Sequence, residues 1–110
     1  MTDETILKGR SYAIISYITI IGTIIAFFIN NDKKNEFTSF HIRQALGLWL
    51  TFFALGYIVG VFDKWLITFA FWLFFGVLFI YGFMNAVAGK PQIVPILGQF
   101  YQKIFSNVGK

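Results

Sequence analysis

The sequence predicts an all-α polytopic membrane protein, with three transmembrane helices and a C-terminal amphipathic helix lying in the interface. Three observations predict it. Hydrophobic residues make up 57% of the 110 and charged residues only 13%, roughly half the charged share of an average soluble chain. Residues 12–29, 45–62 and 65–84 contain no Asp, Glu, Lys or Arg, and a helix of about twenty residues crosses a hydrocarbon core of about 30 Å. From Pro95 onward, apolar side chains then recur on one helical face. A chain this short has too little interior to hide fifteen Phe and three Trp from water. The whole of 1–110 reads as a single membrane domain.

The first span, 12–29, follows Lys8 and Arg10, but no small-residue cleavage site comes after it and it exceeds a signal-peptide core in length. It is therefore expected to be retained. The second and third spans, 45–62 and 65–84, are separated only by Asp63 and Lys64. A continuous helix over both would be roughly 60 Å long, so the chain must turn there. Asp63 is expected to cap the third span, with Lys64 at the headgroups and Trp65 in the interfacial belt. Twelve Leu, Ile, Phe or Val residues in the third span are worth roughly 4 to 7 kcal/mol of insertion free energy. Asn85, Gly89 and Pro91 give the usual order for a helix stop.

Two flanking segments are amphipathic. Ile96, Leu97, Phe100, Tyr101, Ile104, Phe105 and Val108 share a face over about 95–107, and 37–44 forms a shorter ramp into the second span. The loop 30–36 is the one strongly polar run. Three crossings place this loop and the C-terminus on one side with Lys33, Lys34, Arg43, Lys90, Lys103 and Lys110. The N-terminus and the 63–64 turn share the other side with Lys8, Arg10 and Lys64. The positive-inside bias puts loop 30–44 and the C-terminus in the cytoplasm of a bacterial cell.

Lipid tails give apolar helices no reason to associate, so small residues and shared hydrogen bonds must do it. Gly56 and Gly60 are spaced as GxxxG, Gly22 lies in a stripe of Ser16, Thr19, Thr23 and Ala26, and Gly82 with Ala86 repeats the spacing. These glycines are expected to pack helices within the chain, or, through Gly56 and Gly60, to pair it with a second copy or a partner helix. His41, Arg43 and Gln44 form the one concentrated polar motif beside an apolar span. They are expected to make a partner or headgroup recognition surface, with Arg43 reaching phosphates or Glu36, and with Lys33 and Lys34 attracting anionic lipids or an acidic partner.

No enzyme is expected. The one His has no Cys partner, Ser39 beside His41 lacks an acid and an oxyanion loop, and the five carboxylates sit at polar ends and turns. No metal spacing with His41 and no phosphate loop is present, so no cofactor is expected. The charges lack the clustered stripes of a nucleic-acid binder.

Glu36 to Leu48, with its His41-x-Arg43-Gln44-Ala45 element, resembles a group of small bacterial membrane proteins. These are relatives of the twenty-kilodalton component of the chloroplast inner-envelope import translocon. Ser16 to Gly22, and Gly89 to Leu97 with Pro95, extend the likeness. The resemblance implies a multi-pass membrane protein of the Tic-twenty-like kind. The resulting expectation is a subunit or adaptor in a membrane complex concerned with translocation, whose partners are the bilayer and other membrane subunits. The alternative from the hydroxyl stripe is a self-assembling channel or holin-like permeability factor.

Overall fold

The computed structural model describes residues 1–109. They form five helices with no strand among them: α1 (Asp3–Ile18), α2 (Ile20–Lys33), α3 (Glu36–Val61), α4 (Trp65–Val87) and α5 (Gly98–Ile104). The all-α class holds, but two helices rather than three are long and apolar enough to cross a membrane, namely α3 and α4.

The expected first span is cut in two. Thr19 is extended, with φ −150° and ψ 164°, and its hydroxyl accepts a hydrogen bond from the Gly22 amide at 3.0 Å, capping α2. The Thr23 hydroxyl reaches back to the Ser16 carbonyl, and Trp49 donates its indole N–H to the same oxygen at 3.3 Å. These donors satisfy a carbonyl that the end of α1 would otherwise leave without a partner. Gly22 passes directly over the Ile15 carbonyl, where any Cβ would collide with backbone. The small, weakly polar stripe is therefore the hinge of a tight helical hairpin. Asn35 donates to the Thr5 carbonyl at 2.9 Å, and Lys33 to the Tyr12 hydroxyl at 3.1 Å, so α1 and α2 run antiparallel.

This hairpin overturns the expected placement of the N-terminus, which lies beside loop 30–36 and not beside the 63–64 turn. The start of α1, the 33–35 connection and the chain after α4 thus form one base. Single cysteines at Thr5 and Asn107 are expected to react with an impermeant reagent from the same face of a reconstituted bilayer. Reaction from opposite faces would restore three crossings.

The ramp 37–44 and the second span are one continuous helix, α3, capped by the Asn35 side chain accepting from the Thr38 amide. Asp63 does not cap α4. It occupies the left-handed region at φ 51° and donates its amide to Gly60 O, closing the turn, and α4 begins at Trp65, its N-cap Lys64 making no side-chain cap. The far end of α4 stops as expected: Gly89 takes φ 73°, its amide bonds Ala86 O, and the Lys90 amide bonds Asn85 O at 2.8 Å, a Schellman closure. Aromatic rings join α3 to α4, with Trp49 against Phe79 at 4.5 Å and Phe52 stacked on Phe71 at 5.4 Å.

The tail is helical only over Gly98–Ile104, because Pro95 and the left-handed Ile96 hold 95–97 in a turn. It docks on α3. The Tyr101 ring lies over Gly47, in space a Cβ would occupy, and its hydroxyl donates to Thr51 at 2.8 Å. Burial pushes that hydroxyl's pKa up from its ordinary value. The tail's other face, Phe100 and Ile104, stays exposed.

Candidate functional site at the base

The base holds a cluster of buried polar side chains, and their positions follow from the hairpins. Tyr17 on the last turn of α1 faces α3 because Gly82 of α4 leaves room for its ring. His41 and Gln44 lie three residues apart on α3 and therefore share a face. His41 Nε2 is 3.1 Å from the Lys90 carbonyl. A carbonyl only accepts, so Nε2 carries the proton. His41 Nδ1 then accepts from the Tyr17 hydroxyl at 2.7 Å, and that oxygen accepts from Gln44 Nε2 at 2.9 Å. Gln44 Oε1 accepts from the Val94 amide at 2.7 Å. The network ties α1, α3 and the segment after α4 into one unit.

A second network lies beside it. Asn30 donates to the Ser39 hydroxyl at 2.8 Å and accepts from the Asn35 amide, and the Thr38 hydroxyl donates to Gly9 O at 3.0 Å. Among the described residues, no buried side-chain nitrogen or oxygen lacks a partner, which matters because an unpaired buried group costs about 1–3 kcal/mol. Ring edges of Phe37 and Phe40 pack around His41.

The expected recognition residues are separated. His41 and Gln44 have no exposed surface and hold the fold together. Arg43 is half-buried and pairs with neither Glu36 nor solvent alone, since its Nε donates to Val108 O at 3.0 Å. Lys34 is exposed in the left-handed region at φ 47° and shares with Glu36 and Arg43 an open cleft of about 460 Å³. Lys33 lies in a different cleft with Lys8 and Tyr12, its ammonium 4.8 Å from the Tyr12 ring centre. Of the glycines, Gly22 and Gly82 make close approaches, Gly56 rests loosely on Phe71, and Gly60 faces open space.

Sequence reasoning missed Tyr17, Asn30, Asn35 and Thr38. Asn35 preceding Glu36 and a long apolar helix was a legible cap signal, whereas Tyr17 offered none. The one ion pair among the described residues, Lys8 with Glu4 at 2.8 Å, is exposed on α1. Their hydrogen bond lowers the Glu4 pKa and raises that of Lys8, at little consequence for stability. No group of three or more His, Asp or Glu residues that could hold a metal occurs among the described residues.

The hydroxyl stripe behind the channel reading is consumed by the hinge: Ser16 donates to Ala13 O, Thr23 to Ser16 O, and Thr19 accepts from Gly22. No curated protein and no solved structure matches the chain. A family model does match, over residues 6–101, and it is the magnetosome magnetite crystal formation family. This overturns the Tic-twenty-like resemblance, and with it the import-translocon function and the channel or holin-like alternative. The residues behind that likeness, His41 to Ala45 and Gly89 to Leu97, include His41, Gln44 and Val94 of the buried network and Gly89 of the α4 stop. The chain belongs to the magnetosome magnetite crystal formation protein family, MamF/MmsF.

Proposed function

We propose that this chain serves magnetite crystal formation as a non-enzymatic protein embedded in the magnetosome membrane, crossing it twice through α3 and α4 with its base in the cytoplasm. The observation that carries the reading is the family match over 6–101 on a fold whose two long apolar helices meet at a short turn. The charges support the orientation. Lys8, Arg10, Lys33, Lys34, Arg43, Lys90 and Lys103 lie in the base half, and only Lys64 lies at the turn.

In this placement the mineral side receives little more than 62–64 and Trp65, so the contribution to crystal growth comes from within the membrane and from the cytoplasmic base. Lys34 and Arg43, in one cleft, and Lys33 nearby supply positive charge for anionic headgroups. The engagement of both His41 ring nitrogens inside the fold supports a role without catalysis.

Deleting the gene in a magnetite-forming cell is the test, with crystals sized by electron microscopy. Smaller or fewer crystals are expected, restored equally by the natural chain and by a chain carrying Asp63→Asn and Lys64→Gln. Unchanged crystals after deletion would remove the role. Rescue that depends on Asp63 or Lys64 would place the working surface on the mineral side.

A further inference from the structure

Two helical hairpins of unequal reach rise from the same base. From Arg43 to Asp63, α3 and its turn cover twenty residues, about 30 Å of helix and about the thickness of a hydrocarbon core. The shorter hairpin goes half as far. From Arg10 to the Thr19 hinge is about 14 Å, and from the hinge to Asn30 about 16 Å, so its uncharged part matches one leaflet. Bonds from the Thr38 hydroxyl to Gly9 O and from the Asn35 side chain to Thr5 O fix the level of α1 against α3. By helical rise the hinge at Thr19 then lies about 8 Å beyond Arg43, within the base-side leaflet.

The surfaces agree with these depths. Ile18, Ile21 and Phe28 of the short hairpin are 60, 65 and 66% exposed, an apolar face with no protein partner. Beyond Phe52, only α3 and α4 continue.

From this geometry we infer that the chain is a leaflet wedge: the α1–α2 hairpin enters from the base side, stops within that leaflet, and fits a lipid surface that is convex toward the base. Four helices, with α5 docked beside them on α3 at Gly47 and Thr51, displace lipid in the base-side leaflet and two in the other. Each helix is about 10 Å across, so the base-side leaflet is expanded relative to its partner, and bending away from the base relieves the mismatch. Shallow apolar insertions bind in a curvature-sensitive way for the same reason. The inference rests on the membrane-embedded reading proposed above.

The full chain, labelled at an added Thr5→Cys, is reconstituted into phosphatidylcholine–phosphatidylglycerol vesicles of mixed size. Protein-to-lipid ratio is then read vesicle by vesicle, counting chains whose label is reachable from outside. Density on vesicles of roughly 30 nm is expected to exceed that on vesicles of roughly 400 nm by about threefold or more. A paired measurement places a quencher along the acyl chains and a fluorophore on Ile18→Cys, and strongest quenching is expected below the headgroups and short of the chain ends. Ile18→Asn with Ile21→Asn leaves the buried core untouched, and it should keep the chain in the vesicles while bringing the density ratio towards one.

Chains that float with vesicles yet distribute evenly over size would overturn the wedge and leave the membrane reading intact. An Ile18 label at headgroup depth, or size preference unchanged in the double variant, would also overturn it. Failure to float would remove both readings.

Discussion

Gly22→Leu is expected to open the α1–α2 hairpin and carry the N-terminus to the opposite face of the membrane. The position has no free volume: an added Cβ meets the Ile15 carbonyl and its carbon, which are backbone and cannot rotate away. Overpacking usually costs about 1–3 kcal/mol, and the rigid neighbour places this substitution at or above the upper end. With the hairpin unable to close, Thr19 can return to helical geometry and residues 3–33 can form one rod of about 46 Å, long enough to cross the bilayer. A cysteine at Thr5 should then react from the face that carries Asp63, and the unfolding midpoint in a detergent titration should fall. Unchanged sidedness together with unchanged stability would show that the hinge does not depend on Gly22.

The second large effect is expected at Gln44. Replacing it with Leu keeps the bulk and removes three hydrogen bonds, leaving the buried Val94 amide without an acceptor and the Tyr17 oxygen without a donor. At about 1–3 kcal/mol for each orphaned group, a loss of about 2–4 kcal/mol is expected, with faster proteolysis of 88–97, which Gln44 holds down. Tyr17→Phe should cost less, because it removes one hydroxyl shared by His41 and Gln44. The double variant should cost less than the sum of the two, since both act on one network. Full additivity would mean that the network does not act as a unit.

The sequence made the apolar architecture of α3 and α4 readable because their signal is long and local: runs without charge, a charged turn, and a glycine stop. The α1–α2 hairpin was hidden by the same measure. Residues 12–29 are apolar throughout, and hydropathy does not distinguish a rod from a rod folded at its middle. Thr19 with Gly22 three residues later was a cap signal inside the run, outweighed by the apolar residues around it. His41, Arg43 and Gln44 were legible as unusual residues at the edge of a span. Their burial was not, because the groups that satisfy them are backbone atoms of Lys90, Gln92, Val94 and Val108. Those partners have no side-chain identity to read. The likeness to import components rested on the same residues and so followed the architecture they hold together more closely than the task the family performs.

His41 and Gln44, on the first turns of α3, meet the Tyr17 hydroxyl in chain already made, but their other partners, the Lys90 carbonyl and the Val94 amide, lie in chain that is synthesised about fifty residues later. A ribosome that has released α3 alone has therefore delivered a helix whose His41 and Gln44 still require water. Commitment of α3 to lipid should wait until α4 and the Lys90–Val94 segment emerge, so that the two helices enter the membrane together as a pair.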